Sequence, residues 1–145
     1  VEAIIKSLGG DLYTTAVTDP LGRPIEAEYG VVNLNGVKTA VIEMSSASGL
    51  PLLLPDEQNP WITSTYGTGE MILDALNRGC RKFLVGIGGS ATNDAGTGML
   101  SALGVKFFDS QGLRLKGCGK DLKSIAQIDM SSLVPEARKS EFIVA

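Results

Sequence analysis

Phe83-Leu84-Val85-Gly86-Ile87-Gly88-Gly89-Ser90-Ala91-Thr92-Asn93-Asp94 passes from an unbroken apolar run through glycines to small hydroxyl residues, an amide and a carboxylate. Apolar residues then recur at helical spacing to Leu103. A buried strand that delivers a polar turn to a helix N-terminus has this form, and the continuous apolar run is typical of a strand covered on both faces in a parallel sheet. The next apolar run, Val105 to Asp109, predicts a strand–helix–strand unit whose ligands would lie at the carboxyl ends of the strands.

Upstream, Val1–Leu8 reads as the end of a helix stopped by Gly9-Gly10. Leu12–Val17 and Ile25–Leu34 flank Asp19-Pro20-Leu21-Gly22, whose residues suit the four positions of a reverse turn. Asn35-Gly36 is a two-residue hairpin signal that leads to Val37–Met44. The fold class is therefore α/β: a mixed sheet with an N-terminal antiparallel meander followed by βαβ units, with helices packed on the sheet. Pro51–Trp61 reads as a loop, and Leu133–Ser140 as a short helix before a last strand at Phe142–Ala145.

The chain has 145 residues, 43% hydrophobic and 20% charged, enough for one compact α/β unit with its own core. A net charge of −3, with 13 scattered basic residues, argues against nucleic-acid binding. Arg78, Arg81 and Lys82 form the only close basic group, and it stands where a helix C-terminus would favour cations. Cys80 and Cys118 have no metal or redox spacing, so free thiols and a cytoplasmic setting are expected. No apolar run is long enough to span a membrane. Nothing in the sequence fixes an oligomeric state. Histidine is absent, which removes from this chain the histidine general base, the histidine-activated nucleophile and the histidine-bound metal.

Two further stretches are rich in small polar residues. Glu43-Met44-Ser45-Ser46-Ala47-Ser48-Gly49-Leu50 follows a strand, either as a short helix capped by Ser45 or Ser46 or as a strand end facing a ligand beside Glu43. Thr63-Ser64-Thr65-Tyr66-Gly67-Thr68-Gly69-Glu70 precedes a helical pattern that runs from Met71 to Gly79. Its hydroxyls serve either as caps or as contacts to an anion at the helix N-terminus.

The glycine turn fails the GxxxxGK[ST] pattern, because no lysine lies between Lys82 and Lys106. Gly86, Gly88 and Ala91 match the weaker GxGxxA dinucleotide fingerprint, with Asp109 ending the next strand, so a Rossmann-like oxidoreductase domain is one alternative. A carboxylate at Asp94 would repel a pyrophosphate unless it held Mg²⁺ or took a proton from an attacking hydroxyl, as phosphoryl transfer requires.

Ile42–Leu50, Thr65–Glu70 and Gly86–Asp94, in this order and spacing, resemble three signature blocks of the bacterial glycerate kinase family, and Asp19-Pro20-Leu21-Gly22 is similar as well. The resemblance extends over essentially the whole chain. It implies ATP and Mg²⁺ as cofactors, glycerate as the small-molecule substrate, and phosphoglycerate, 2-phosphoglycerate by family expectation, as the product. It also implies that residues 1–145 are one α/β segment, an internal fragment of a longer two-domain kinase. Acidic motifs on either side would be missing, so the isolated fragment would be inactive or only a small-molecule-binding unit. The site residues expected on this basis are Gly88, Gly89, Ser90, Thr92 and Asn93 in the turn, Thr65, Gly67, Thr68 and Gly69 as a second anion cradle, and Ser48. Asp94 is the expected catalytic or metal-holding acid, with Glu43 as a second catalytic candidate. Ala95 and Thr97 stand where that family usually has glycine and alanine.

Overall fold

The computed structural model describes all 145 residues, Val1–Ala145. Helix α1 (Glu2–Leu8) ends at Gly9, whose φ of 69° lies in the left-handed region. Strands β1 (Gly10–Thr18), β2 (Pro24–Leu34) and β3 (Val37–Glu43) form the expected antiparallel meander. The first turn closes by a bond from the Gly22 amide to the Asp19 carbonyl, and Asp19 Oδ1 accepts the Leu21 and Arg23 amides. The second carries Asn35 at φ 53° and Gly36 at φ 82°, the paired positive angles of a tight hairpin.

The chain crosses over through α2 (Ser45–Ser48) and α3 (Tyr66–Asn77) to β4 (Lys82–Gly86), which pairs parallel with β3. It returns last as β7 (Glu141–Val144), parallel to β4, after the short helix α5 (Pro135–Arg138). The sheet order is β1-β2-β3-β4-β7, so the carboxyl ends of β3, β4 and β7 lie side by side. Tyr29, Ala40, Ile42 and Phe83 of the sheet meet Met71, Ile72, Ala75 and Leu76 of α3 in one buried cluster. Arg81 lies past the end of α3 and donates to the carbonyls of Leu76 and Cys80, the basic helix terminus expected from the sequence.

Two expectations are corrected. Val105–Asp109 does not return to the main sheet. After α4 (Thr97–Ala102), β5 (Lys106–Phe108) pairs antiparallel with β6 (Gln127–Asp129) in a separate ribbon. The glycine turn consumes the residues up to Gly96, leaving a helix of six residues, roughly 9 Å long, that packs on α3 and cannot carry the chain back along β4. The parallel neighbours of β4 are β3 and β7 instead. The helix predicted from Met71 begins at Tyr66, so Gly67 and Gly69 are helical residues, both buried.

Gly67 and Gly69 have a packing reason. A methyl group at Gly67 would collide with the Thr18 carbonyl oxygen, and one at Gly69 with the Met99 carbonyl oxygen. The two glycines let α3 close on the end of β1 and on α4 at backbone distance. Gly67→Ala is expected to cost roughly 3 kcal/mol, the upper part of the usual range for overpacking. Urea unfolding of the variant beside wild type checks this, and an unchanged midpoint would refute the packing account.

Candidate functional site

At the carboxyl ends of the parallel strands a cavity of about 450 Å³ opens between the sheet and helices α3 and α4. One wall is polar, made by Thr65, Thr68, Ser90, Thr92, Asn93 and Asp94. The other is apolar, made by Ile72, Val85, Met99, Phe142 and Val144. No lysine or arginine lines it.

Asp94 organises the polar wall. Its side chain is almost fully buried. Oδ2 accepts the Thr65 amide at 2.8 Å, the Thr65 hydroxyl at 2.9 Å and the Gly98 amide at 3.2 Å, and Oδ1 accepts the Gly96 amide at 3.0 Å. Thr65 Oγ1 in turn accepts the Met99 amide. One carboxylate thus joins the N-termini of α3 and α4, where free amides and helix dipoles favour a negative charge.

The hydroxyl-rich stretch before α3 takes neither of its two expected forms cleanly. Thr65 stands at the helix start without a side-chain capping bond. Thr63 donates to the Ala91 carbonyl, Ser64 to the Gly117 carbonyl and Thr65 to Asp94. Thr68 pairs with the buried Ser48 hydroxyl at 2.7 Å. These hydroxyls cross-link four segments of chain, and no buried side-chain nitrogen or oxygen lacks a partner. The short helix α2 has Met44 at its N-cap position and no side-chain capping bond, so the cap expected at Ser45 or Ser46 is absent.

Among the expected residues, Thr65, Thr68, Ser90, Thr92, Asn93 and Asp94 are brought together around the cavity. Gly67 and Gly69 are not; they face β1 and α4. Ser48 is buried behind Thr68. Glu43 ends β3 but lines a different depression beside Leu12 and Glu28. Sequence reasoning missed the apolar wall. Its signal was present as apolar residues at the ends of β4 and β7 and at the Ile72 and Met99 positions of two helices.

The turn itself offers uncommitted donors. Gly88 and Gly89 are exposed, and the amides of Gly88, Gly89 and Ser90 donate to no backbone oxygen. Gly89 has φ 72°, and a Cβ there would press on the Ser45 side chain. Successive free amides about a left-handed residue form a concave cradle for an anion. Ser90 and Thr92 hydroxyls lie 2.9 Å apart beside it.

No three groups among His, Cys, Asp and Glu are placed to share an ion, and Asp94 has four donors on its oxygens. Both cysteines are free and buried, and burial pushes both thiols up, so neither is an activated nucleophile. Asp109, the second element of the dinucleotide fingerprint, follows β5 in the separate ribbon, where its Oδ1 accepts the Gln111 and Leu113 amides.

Replacing Asp94 by Asn keeps the shape but removes the charge between two helix ends and turns one acceptor into a donor facing an amide. Asp94→Asn is expected to lower stability by roughly 2–4 kcal/mol. Chemical denaturation measures it; a loss below about 0.5 kcal/mol, the usual range for surface substitutions, would rule out the joint. Ala95 sits at φ 52°, strained for a residue with a Cβ. Ala95→Gly should therefore raise stability or leave it unchanged, as the midpoint of the same unfolding curve reports.

Residues 1–145 match the model of the glycerate kinase family. The chain is 44% identical over 145 residues to a glycerate kinase of Halalkalibacterium halodurans, covering 100% of this chain and 38% of that protein. It is 43% identical over 145 residues to the glycerate 2-kinase of Escherichia coli K12, again covering 100% of this chain and 38% of that protein. A solved structure from Salmonella typhimurium LT2, described as glycerate kinase 2, superposes with a TM-score of 0.93 at 40% identity, covering 100% of this chain and 39% of that one. The chain thus spans about 38% of the length of these curated relatives. With the fold, the turn and the whole of its length in agreement, the chain belongs to the glycerate kinase family.

Proposed function

We propose that the whole protein transfers the γ-phosphoryl group of ATP to a hydroxyl of D-glycerate, giving ADP and phosphoglycerate, by family resemblance 2-phosphoglycerate. In the reaction the glycerate oxygen bonds to the γ-phosphorus as the bond to the β–γ bridging oxygen breaks. This chain acts as one α/β segment of a longer two-domain enzyme in the cytoplasm, and it supplies the phosphate-facing turn. The observation that carries the reading is the run of free amides at Gly88, Gly89 and Ser90, set at the carboxyl ends of β3 and β4 in a member of this family. Amides aimed at phosphate oxygens stabilise developing charge without a lysine.

Ser90 and Thr92 add hydroxyls to that cradle, and Asn93 extends it. ATP enters as its Mg²⁺ complex, with the phosphates as the metal's ligands. Asp94 serves as a positioning residue: its acceptor set fixes Gly96 and the helices behind the turn. Glu43 faces away from the cavity, and we assign the proton acceptor to a part of the protein outside this chain. The dinucleotide alternative has no comparable support, since its acidic partner lies in the ribbon.

Gly89→Ala, made in the protein at its relatives' full length, is expected to lower kcat for glycerate-dependent ADP release on the order of 10²-fold, because a Cβ at φ 72° pressed on Ser45 turns the amides off their aim, with the effect of losing an aimed donor. Coupled detection of ADP measures it. Turnover within threefold of wild type would remove the turn from the phosphate site, and absence of glycerate-dependent ADP release by wild type would overturn the function. Residues 1–145 alone should release no ADP in the same assay.

A further inference from the structure

A second cavity, of about 320 Å³, opens beside the glycine turn and is lined by Pro60, Trp61, Asn93, Gly119 and Leu122. Asn93 lines both this cavity and the larger one, so the two meet at the turn. Trp61 is the chain's one tryptophan, and it is 57% exposed. Leaving so large an apolar ring in solvent is uneconomical unless something covers it.

The backbone beneath that ring is fixed from both sides. The Trp61 amide donates to Asn59 Oδ1 at 3.1 Å, and the Trp61 carbonyl accepts the Lys120 amide at 2.8 Å. Gly119 has no room for a side chain, because a methyl group there would strike the Pro60 carbonyl oxygen. The loop that holds the indole, the glycine turn and the segment Gly119–Ser124 are therefore packed as one unit. Lys123 adds positive charge: its Nζ lies 5.9 Å from the indole centroid, at the outer limit of a cation–π contact, and it takes part in none of the chain's ion pairs. An exposed indole on a fixed backbone, with a neighbouring cation and in a cavity that shares Asn93 with the one lined by Ser90 and Thr92, suits a flat aromatic ring carrying a polyanionic tail.

We infer that Trp61 is the stacking platform for the base of the nucleotide, with Leu122 and Pro60 bordering the ring and the phosphates leading past Asn93 to the amides of Gly88–Ser90. The inference rests on the proposed use of ATP. Asn93 carries both a donor and an acceptor, the pair that reads an adenine edge, and it is exposed where the two cavities join. The arrangement separates two tasks: the amides bind any polyphosphate, and the indole binds only a nucleotide.

The test is calorimetric titration of the full-length protein, without glycerate, using ATP and inorganic triphosphate as probes. Trp61→Ala is expected to weaken ATP by roughly tenfold to a hundredfold, the usual loss for a stacked base, and to leave triphosphate within twofold. Trp61→Phe should keep ATP within about threefold, since a smaller ring still stacks. Unchanged ATP affinity in Trp61→Ala, or an equal loss of both probes, would overturn the inference. If Trp61→Ala does not fold, the wild-type protein reads the same point: ATP should quench the part of its fluorescence that Trp61→Phe removes, and triphosphate should not. Quenching by both or by neither overturns it. ATP binding without glycerate-dependent turnover would sink the kinase reading alone, whereas turnover with ATP affinity indifferent to Trp61 would sink the stacking site alone. No ATP binding by wild type would sink both.

Discussion

A single buried carboxylate between two helix N-termini holds this structure's functional end together. Asp94 lies where an uncompensated charge would be prohibitive, yet its two oxygens accept four donors, three of them backbone amides. The helices that supply them do not follow one another closely in sequence; α3 precedes β4 and α4 follows it. The joint therefore fixes the position of the intervening strand end. It also dictates the small residues around it. A side chain at Gly98 would meet the Ser64 hydroxyl and the Asp94 carboxylate, and one at Gly117 would meet the Gly98 backbone. The backbone bends sharply through Ala95 at φ 52° and Gly96 at φ 74° so that one carboxylate can reach amides on both sides.

Much of the architecture was legible because its signals are local. Asn35-Gly36 names its hairpin, Asp19 to Gly22 names its turn, and Phe83–Gly86 reads as a covered strand from its own residues. The parallel partner of that strand was not legible. Val105–Asp109 has the composition of a sheet strand, but what excludes it is the length of α4, which depends on how many residues the glycine turn uses. The slot beside β4 goes to β7, whose claim rests on Phe142 stacking on Phe83 with ring centroids 4.7 Å apart, a contact 59 residues distant in sequence. Such competition between segments leaves no trace in either segment alone.

Of the twelve residues expected at the candidate site, six line one cavity, and the division of labour among them was not legible. Hydroxyls, glycines and a carboxylate concentrated in three blocks do mark one cavity. Sequence cannot tell a hydroxyl that faces a ligand from one that faces a carbonyl, because both need the same side chain. Here Thr63, Ser64, Thr65 and Thr68 spend their bonds on other segments of the chain, and Gly67 and Gly69 are small because backbones touch. Two stretches read as anion cradles resolve into one candidate cradle, the glycine turn, and the scaffold that holds it.

That division has an electrostatic consequence. The chain carries a net charge of −3, and its larger cavity has no cation on its walls, so attraction of a phosphate cannot come from side-chain charge within this cavity. In the proposed phosphate site this chain contributes oriented dipoles instead, and dipoles stabilise an anion only while they are held against reorientation. Flexible glycines at 88 and 89 would be a poor choice for that task if they stood alone. They are anchored instead: the Gly89 carbonyl accepts the Leu50 amide, the Ala91 amide donates to the Ser48 carbonyl, and Ser48 is held by Thr68 at the start of α3. The same α3 is held by Asp94. In the proposed phosphate site, these buried polar bonds hold the neutral amides of the turn in place where no lysine is present.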